Sequence, residues 1–287
     1  MEIATFKKLL IPIDFSVASE NALEYGLSLA SKIGAKIVLL HTYNFKPMVD
    51  ISGQYISFSD LKAQTLAQGE QKLHELKTKI TASHPEISLE YLLMQDNLAE
   101  AVEAVCKEQN IDLVVMGTKG ASGFEEYLVG TNTAVVIESI KSPVLVIPSK
   151  AKFHDIKKIL FTTDFQFDDV ESLEALVEIA KIFKAKIEVV HFSKDIKLDE
   201  ELLDWLKEIC EERVDYKLIN FTNLLEGSTM LDTLNKLIKK REVDLVSMSA
   251  SDKPFLKKIF TGSYTQKMAY HTDIPFLAFH IRKLNKL

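Results

Sequence analysis

The residues best suited to chemistry form a glycine-rich pattern in the first half of the chain. Gly117 and Gly120 stand three positions apart, and Gly130 and Thr131 follow after nine further residues. Glycines let backbone N–H groups approach phosphate oxygens, and a helix that begins at the end of the pattern adds unpaired donors and a positive dipole end. Thr131 has two interpretations, since its hydroxyl either donates to a phosphate or caps that helix. The spacing alone does not identify a nucleotide site, because glycines also cluster in ordinary turns.

Alternating strand and helix patterns surround these glycines. Short apolar runs predict strands at about 8–13, 36–43, 87–94, 111–116 and 144–147. Helical patterns lie between them at about 17–33, 59–83, 97–109 and 131–140, and the first is bounded by Ser16 and Gly34. This alternation predicts an α/β domain whose parallel sheet is flanked by helices.

The predicted strands bring three positions to one edge of the sheet. Asp14 follows the first strand, Thr42 ends the second and Gly117 follows the fourth. In open α/β sheets, ligands bind beyond the carboxyl ends of the strands, where the strand order switches direction. This edge is therefore the predicted ligand site.

An internal repeat divides the chain into two domains. Residues 7–15 return as 157–165, and residues 30–41 return as 180–191, both 150 positions later. The later segments 111–116 and 142–147 return as 243–248 and 274–279, only about 132 positions later. The second copy is thus shorter by about 18 residues, and the missing piece falls between Tyr43 and Gln64. We predict domains at 1–150 and 151–287.

Composition excludes several classes of protein. The 287 residues are 47% hydrophobic and 26% charged, as in a soluble globular protein of about two domains. The net charge of −6 argues against nucleic-acid binding, which needs a basic face. No apolar run approaches the ~20 residues of a membrane helix, and residues 1–8 lack an apolar signal core, so a cytoplasmic location is expected. Cys106 and Cys210 lack metal-ligand spacing and are interpreted as ordinary helix residues.

Together these features resemble the universal stress protein family in its tandem two-domain form. The matching residues are Ile11-Pro12-Ile13-Asp14, Leu40-His41, the pattern from Met116 to Thr131, and the closing strand 142–146. The resemblance covers nearly the whole chain and is stronger in the first half. It implies that each domain has a five-stranded, Rossmann-like sheet of the adenine nucleotide α-hydrolase type. It also implies that ATP binds at the predicted edge of the first domain.

The resemblance implies contacts to the adenine and ribose. Pro12, Ile13 and Asp14 would lie along these two groups, Thr42 would offer backbone contacts to the adenine, and Met116 would hold the ribose side. Considered alone, Asp14 is either a ribose ligand or a capping and turn residue. The glycine pattern favours the ligand role.

The same resemblance implies a phosphate site. Gly117 would lie on the ribose side, and Gly120 would let the backbone approach the phosphates. Lys119 either pairs with a phosphate or is a solvated surface lysine. The β- and γ-phosphates would be held by Gly130, Thr131, Asn132 and Thr133. A magnesium or manganese ion could bridge the phosphate oxygens.

The second copy departs from this pattern. Ser249 stands where the first copy has Gly117, and Asp252 stands where it has Gly120, while Gly262-Ser263 are kept. A carboxylate would repel a triphosphate by roughly 1–4 kcal/mol at a few ångströms. We therefore expect one ATP site, in the first domain. Since the second copy keeps the strands without the two glycines, the fold is not expected to need them, and a ligand would explain their presence.

These features predict an ATP-binding regulatory protein of the stress-response type. One alternative is a slow ATPase or a phosphoryl- or nucleotidyl-transfer enzyme, although no nucleophile–base pair or P-loop pattern is present. Another is an interaction scaffold without nucleotide. His41 and His191 are interpreted as hydrogen-bonded histidines at strand ends. In the family the closing strands pair domains, so 144–147 and 276–279 either join the two halves or are ordinary buried strands. A homodimer is a further option.

Overall fold

The computed structural model describes residues 6–44, 58–118, 131–227, 230–249 and 273–279. In the first half, strands β1 to β5 cover Lys8–Pro12, Lys36–Thr42, Leu89–Met94, Leu113–Gly117 and Val144–Ile147. Helices α1 to α4 cover Val17–Ile33, Phe58–Ser83, Leu98–Gln109 and Thr131–Ser139. In the second half, β6 to β10 cover Lys158–Thr162, Lys186–Ser193, Ile219–Leu225, Leu245–Ser249 and Phe276–Phe279. Helices α5 to α7 cover Phe167–Phe183, Ile196–Arg213 and Met230–Arg241.

Local capping explains the limits of the first helix. Ser16 is its N-cap, and the Ser16 hydroxyl accepts a hydrogen bond from the backbone N–H of Ser19. Gly34 ends the helix in the left-handed conformation, with φ of 71°, and donates its N–H to the carbonyl of Ala30. The predicted limits of this helix are confirmed.

All ten described strands form one sheet. Its order is β3-β2-β1-β4-β5-β10-β9-β6-β7-β8, and neighbouring strands within each half are parallel. Between the halves, β5 and β10 pair antiparallel, with Phe276 opposite Val146 and Ala278 opposite Val144. The predicted α/β fold with two Rossmann-like halves is confirmed, and the closing strands join them.

Apolar layers cover both faces of the sheet. One layer packs under α1, α2, α5 and α6, and it runs continuously across the junction through Leu145 and Leu277. The other packs under α3, α4 and α7, and it includes Val144 and Ala278. Because the central strands lie between helices, β1, β4 and β5 read as apolar runs rather than as alternating patterns.

A repeated aspartate fixes the start of each half. Asp112 Oδ2 accepts hydrogen bonds from the backbone N–H groups of Lys7 and Lys8, at 2.8 and 2.9 Å. Asp244 Oδ2 accepts the corresponding bonds from Lys157 and Lys158 at the same two distances. The repeated Asp-Leu-Val sequence therefore has a structural purpose.

The second copy is shorter between its second strand and the helix that follows, as the repeat predicts. Fifteen residues, 43–57, separate β2 from α2, whereas only residues 194 and 195 separate β7 from α6. Helix α2 has 26 residues and α6 has 18. Residues 45–57 lie outside the described part of the chain.

We predict that Leu277→Ala lowers the free energy of unfolding by about 2–5 kcal/mol, because Leu277 is fully buried at the junction and its truncation leaves a cavity. Equilibrium urea unfolding measures the change. Leu198→Ala is the matched control, since Leu198 is exposed, and its effect should stay within about 0.5 kcal/mol. Equal effects of the two substitutions would contradict the role given to the junction.

Candidate functional site

The carboxyl ends of β1, β2 and β4 open onto one cleft. Strand β1 lies between β2 and β4, so the chain changes its direction of travel across the sheet here. This is the position at which open α/β sheets bind ligands. The described walls are formed by Pro12, Ile13, Asp14, Ser19, His41, Thr42, Leu98, Met116, Gly117, Asn132 and Thr133.

Most of the predicted site residues meet in this cleft. The residues predicted for the base and ribose side all line it, namely Pro12, Ile13, Asp14, Thr42, Met116 and Gly117. Asn132 and Thr133, in the first turn of α4, form the opposite wall. Thr131 begins that helix, but its side chain is outside the described structure. Lys119, Gly120 and Gly130 also lie outside the described residues, so their predicted roles stay predictions.

The described walls enclose about 120 Å³. Pockets for drug-sized ligands commonly hold roughly 300–1,000 Å³. The described part of the cleft is therefore large enough for a portion of a nucleotide. The segment between β4 and α4, residues 119–130, lies outside the described part.

The turn from β1 to α1 explains both interpretations of Asp14. Its Oδ1 accepts a hydrogen bond from the N–H of Ser16 at 3.0 Å, which stabilises the turn. The N-cap of α1 is Ser16 and not Asp14. Asp14 also lines the cleft, so the hydrogen bond within the turn is compatible with its predicted place at the ligand edge.

Sequence reasoning did not assign Ser19, His41 or Leu98 to the cleft. Ser19 lies in the first turn of α1, and its hydroxyl donates to the Ser16 carbonyl at 3.0 Å. Leu98 is the first residue of α3, directly after the N-cap Asn97. Only the register of the strands and the packing of the helices bring these residues to the cleft. The only indication in the sequence is the short polar turn before α1 and before α3, which places the start of each helix near the strand ends.

His41 makes the hydrogen bond expected of a strand-end histidine. Its Nδ1 lies 2.7 Å from the Ile13 carbonyl, and since a carbonyl only accepts, Nδ1 carries the proton in this contact. The Phe15 ring packs edge-on against the imidazole, with centroids 5.0 Å apart. In the second half, His191 Nδ1 makes the same contact with the Thr163 carbonyl at 2.8 Å. The recurrence supports a structural role for both histidines.

Gly117 is required by the packing of α1 against β4. A Cβ atom at this position would lie 2.4 Å from the carbonyl oxygen of Ala18 and 2.8 Å from its carbonyl carbon. The Gly117 carbonyl also accepts a hydrogen bond from the Thr133 hydroxyl at 3.0 Å. The interpretation that the fold does not need Gly117 is therefore wrong. Ser249 is fully buried, so the second half has room for a Cβ where the first has none.

The second half carries a buried carboxylate at the corresponding turn. Asp169 occupies the place of Ser19, 150 positions later, and is fully buried. Its Oδ2 accepts hydrogen bonds from the Thr163 hydroxyl at 2.7 Å and from the backbone N–H groups of Asp164 and Gln166, both at 3.1 Å. Three donors around one oxygen suit an ionised carboxylate. The first cleft has a neutral hydroxyl at this position.

Of the second-half residues that replace or keep the glycine pattern, only Ser249 is described. Asp252 and the pair Gly262-Ser263 are not among the described residues. Asp169 supplies a described negative charge at the corresponding turn of the second half. No helix in the described ranges is long and apolar enough to cross a membrane.

The two cysteines are unsuited to thiol chemistry. Cys106 and Cys210 are both buried and unpaired. Burial raises the pKa of the Cys106 thiol to about 11 and that of Cys210 to about 12. Because the thiolate is the reactive species, both groups are inert near neutral pH.

Comparison with known proteins gives one consistent family. The family model described as the universal stress protein family matches residues 5–148 and again residues 155–280. Universal stress protein Slr1230 of Synechocystis sp. is 24% identical over 294 residues, covering 95% of this chain and 99% of the relative. Universal stress protein MJ0531 of Methanocaldococcus jannaschii is 26% identical over 149 residues, covering 51% of this chain and 85% of the relative.

A solved structure has the same architecture over its whole length. It is that of a universal stress protein from Archaeoglobus fulgidus, with 20% sequence identity and a TM-score of 0.69. The match covers 98% of this chain and 99% of that one. Because the identity is only 20%, this likeness shows a shared fold and nothing more.

We predict that Gly117→Ala destabilises the protein by about 1–3 kcal/mol or more, because the added methyl group meets backbone atoms that cannot rotate away. Thermal unfolding measures the shift. Gly69→Ala is the control, since a Cβ there would meet only side-chain atoms of Leu93 and His41 in a helix interior. If Gly117→Ala is as stable as the natural protein, the packing role of Gly117 is refuted.

We also predict that neither cysteine reacts with iodoacetamide in the native protein at about pH 8 within the time that alkylates both in urea. Mass spectrometry counts the added groups. The reason is the buried, protonated state of both thiols. Rapid alkylation of native Cys106 or Cys210 would contradict it.

Proposed function

The chain belongs to the universal stress protein family, and from that premise we propose that its first half binds ATP, with magnesium or manganese on the phosphates, and that this binding regulates the protein. The second half is a copy without a nucleotide site. It serves as a structural or partner-binding domain.

The observation that carries this proposal is the convergence of three strand ends and one helix start on a single cleft. The walls on the strand side offer apolar surface from Pro12, Ile13 and Met116, which suits the flat faces of an adenine. Asp14 adds a carboxylate that can accept hydrogen bonds from ribose hydroxyls. Thr42, at the end of β2, supplies backbone groups for the edge of the base.

The start of α4 supports the phosphate end of the same proposal. Asn132 and Thr133 lie in the first turn of this helix, where unpaired N–H groups and the positive dipole end favour anions. Gly120, Gly130 and Thr131 would complete the phosphate contacts, and Lys119 would add a positive charge. The Thr133 hydroxyl already donates to Gly117, so its backbone N–H is the donor assigned to phosphate.

Charge explains why only the first half is assigned the nucleotide. Ser19 places a hydroxyl in the first cleft, while Asp169 places a buried negative charge at the corresponding turn. A carboxylate a few ångströms from a triphosphate costs roughly 1–4 kcal/mol. That cost corresponds to about a fivefold to thousandfold loss of affinity.

Regulation follows if the nucleotide favours one arrangement of the elements that it touches. The cleft is built from the β1–α1 turn, the end of β4 and the start of α4. A bound ligand shifts such an arrangement only by its difference in affinity between the two states. If the nucleotide binds one arrangement of α1 and α4 more tightly, its loss would shift this edge toward the other arrangement.

A test of nucleotide binding begins with the protein purified without added nucleotide. Denaturation should release an adenine nucleotide, identified by mass spectrometry, or the empty protein should gain thermal stability with ATP·Mg. ADP, AMP and cyclic AMP are compared in the same assay. Steady release of phosphate would favour the enzymatic alternative. No released nucleotide and no stabilisation by any of the four would favour the scaffold.

We predict that Ser19→Asp weakens ATP binding at least about tenfold relative to Ser19→Asn, because it places the charge of Asp169 in the first cleft. Ser19 is the third residue of α1, and Asp169 is the third residue of α5, where an acidic side chain favours the helix start. Ser19→Asp should therefore remain folded. Isothermal titration calorimetry measures both affinities.

The Asn variant has nearly the same shape as the Asp variant without its charge, so it controls for steric effects. Equal affinities of the two variants would show that the nucleotide phosphates do not lie near this turn. Unchanged melting temperatures confirm that the comparison concerns binding.

A further inference from the structure

The outer edge of the second half carries apolar surface that the core does not use. Leu198 is 74% exposed and Leu202 is 46% exposed, one turn apart on α6. Leu225, 61% exposed, ends the edge strand β8 and pairs with Ser193, two residues before the N-cap of α6. The three leucines thus belong to one corner of the molecule.

The exposed leucines continue along the helix as a stripe. Leu198, Leu202, Trp205 and Ile209 follow spacings of four, three and four, which place them on one side of α6. Leu206 and Cys210 are buried beside that stripe, and Trp205 and Ile209 are half-buried and pack partly against the core. The exposed Leu198 and Leu202 therefore extend the apolar side of α6 beyond what the core covers. We call Leu198, Leu202, Trp205, Ile209 and Leu225 the α6 surface.

Helix α2 provides an internal comparison, because it occupies the same place in the first half. None of its described side chains is a large apolar group with comparable exposure. It carries three acidic and four basic residues, whereas α6 carries seven acidic and three basic residues. The fold therefore does not require either the exposed leucines or the acidic charge of α6.

Acidic residues border the α6 surface. Glu201, Glu208 and Glu212 recur at spacings of seven and four, next to the apolar stripe, and all three are exposed. Glu200 and Asp204 add further exposed negative charge on the same helix. An apolar stripe with an acidic border is complementary to a helix that has an apolar side bordered by lysine or arginine.

We propose that the α6 surface docks a basic amphipathic helix of a partner protein. Two copies of this surface would bring like charges together, which disfavours a symmetric dimer through α6. Anionic membranes would be repelled for the same reason. The exposed leucines would be buried by the partner, and the acidic border would set its orientation and charge.

The single tryptophan of the chain gives a direct reporter, since Trp205 lies on the α6 surface. The probe is a synthetic amphipathic helix made of leucine and lysine, without aromatic residues. Titration should change the Trp205 emission saturably, at one peptide per chain, and added salt should weaken the binding. A peptide with glutamate in place of lysine should not bind.

Two double variants locate the binding. Leu198→Ser with Leu202→Ser should weaken the peptide at least about tenfold, since two leucines lose their contacts. Val17→Ser with Val135→Ser is the matched control, because these exposed valines lie on α1 and α4, and it should bind as the natural protein does. Glu201→Gln with Glu208→Gln should reduce the salt dependence.

Three results would overturn the proposal. The first is unchanged peptide affinity in the double leucine variant, which would mean unspecific attraction by charge. The second is a dimer of the natural protein that this variant abolishes, which would make the surface a contact between copies. The third is equal binding of the glutamate peptide. ATP affinity should be the same in the variants of the α6 surface, so failure here is separable from failure of the nucleotide proposal.

Discussion

The pairing of β5 with β10 is the constraint on which the rest of the molecule depends. Both strands are buried over their whole length, so neither can serve as an exposed edge. Their antiparallel pairing satisfies their backbone groups and makes one apolar layer continuous across both halves. The segment between β5 and β6 is held against the first half, since the Asn21 side chain of α1 donates hydrogen bonds to the carbonyls of Pro148 and Ala151.

The cleft depends on close packing at its base. Helix α1 approaches β4 so closely that only glycine fits at Gly117, and the start of α4 is held to that glycine by Thr133. In the turn between β1 and α1, Phe15 has a φ of 61°, and its counterpart in the second half, Phe165, has a φ of 58°. Left-handed backbone at a phenylalanine is unfavourable by about 1–2 kcal/mol. Since both halves contain it, this turn belongs to the fold rather than to a ligand.

Local signals predicted much of the fold. Ser16 and Gly34 set the first helix, and the apolar run at 144–147 gave a strand with those limits. The site was predicted less completely, because Ser19 and His41 reach the cleft only through packing and register. The role of Gly117 could not be seen in the sequence, since it depends on a carbonyl of another element. The contact between α6 and β7 was not visible either, since Asp199 Oδ2 lies 3.3 Å from His191 Nε2 only through the packing of that helix on the strand.

The antiparallel junction also reverses the second half relative to the first. The carboxyl ends of β1, β2 and β4 therefore lie along one edge of the ten-stranded sheet, and those of β7 and β8 lie along the opposite edge. A ligand in the cleft and a helix on the α6 surface would not compete for space. Under the two proposals, the chain would be a bivalent adaptor whose two sites lie at opposite strand ends of one ten-stranded sheet.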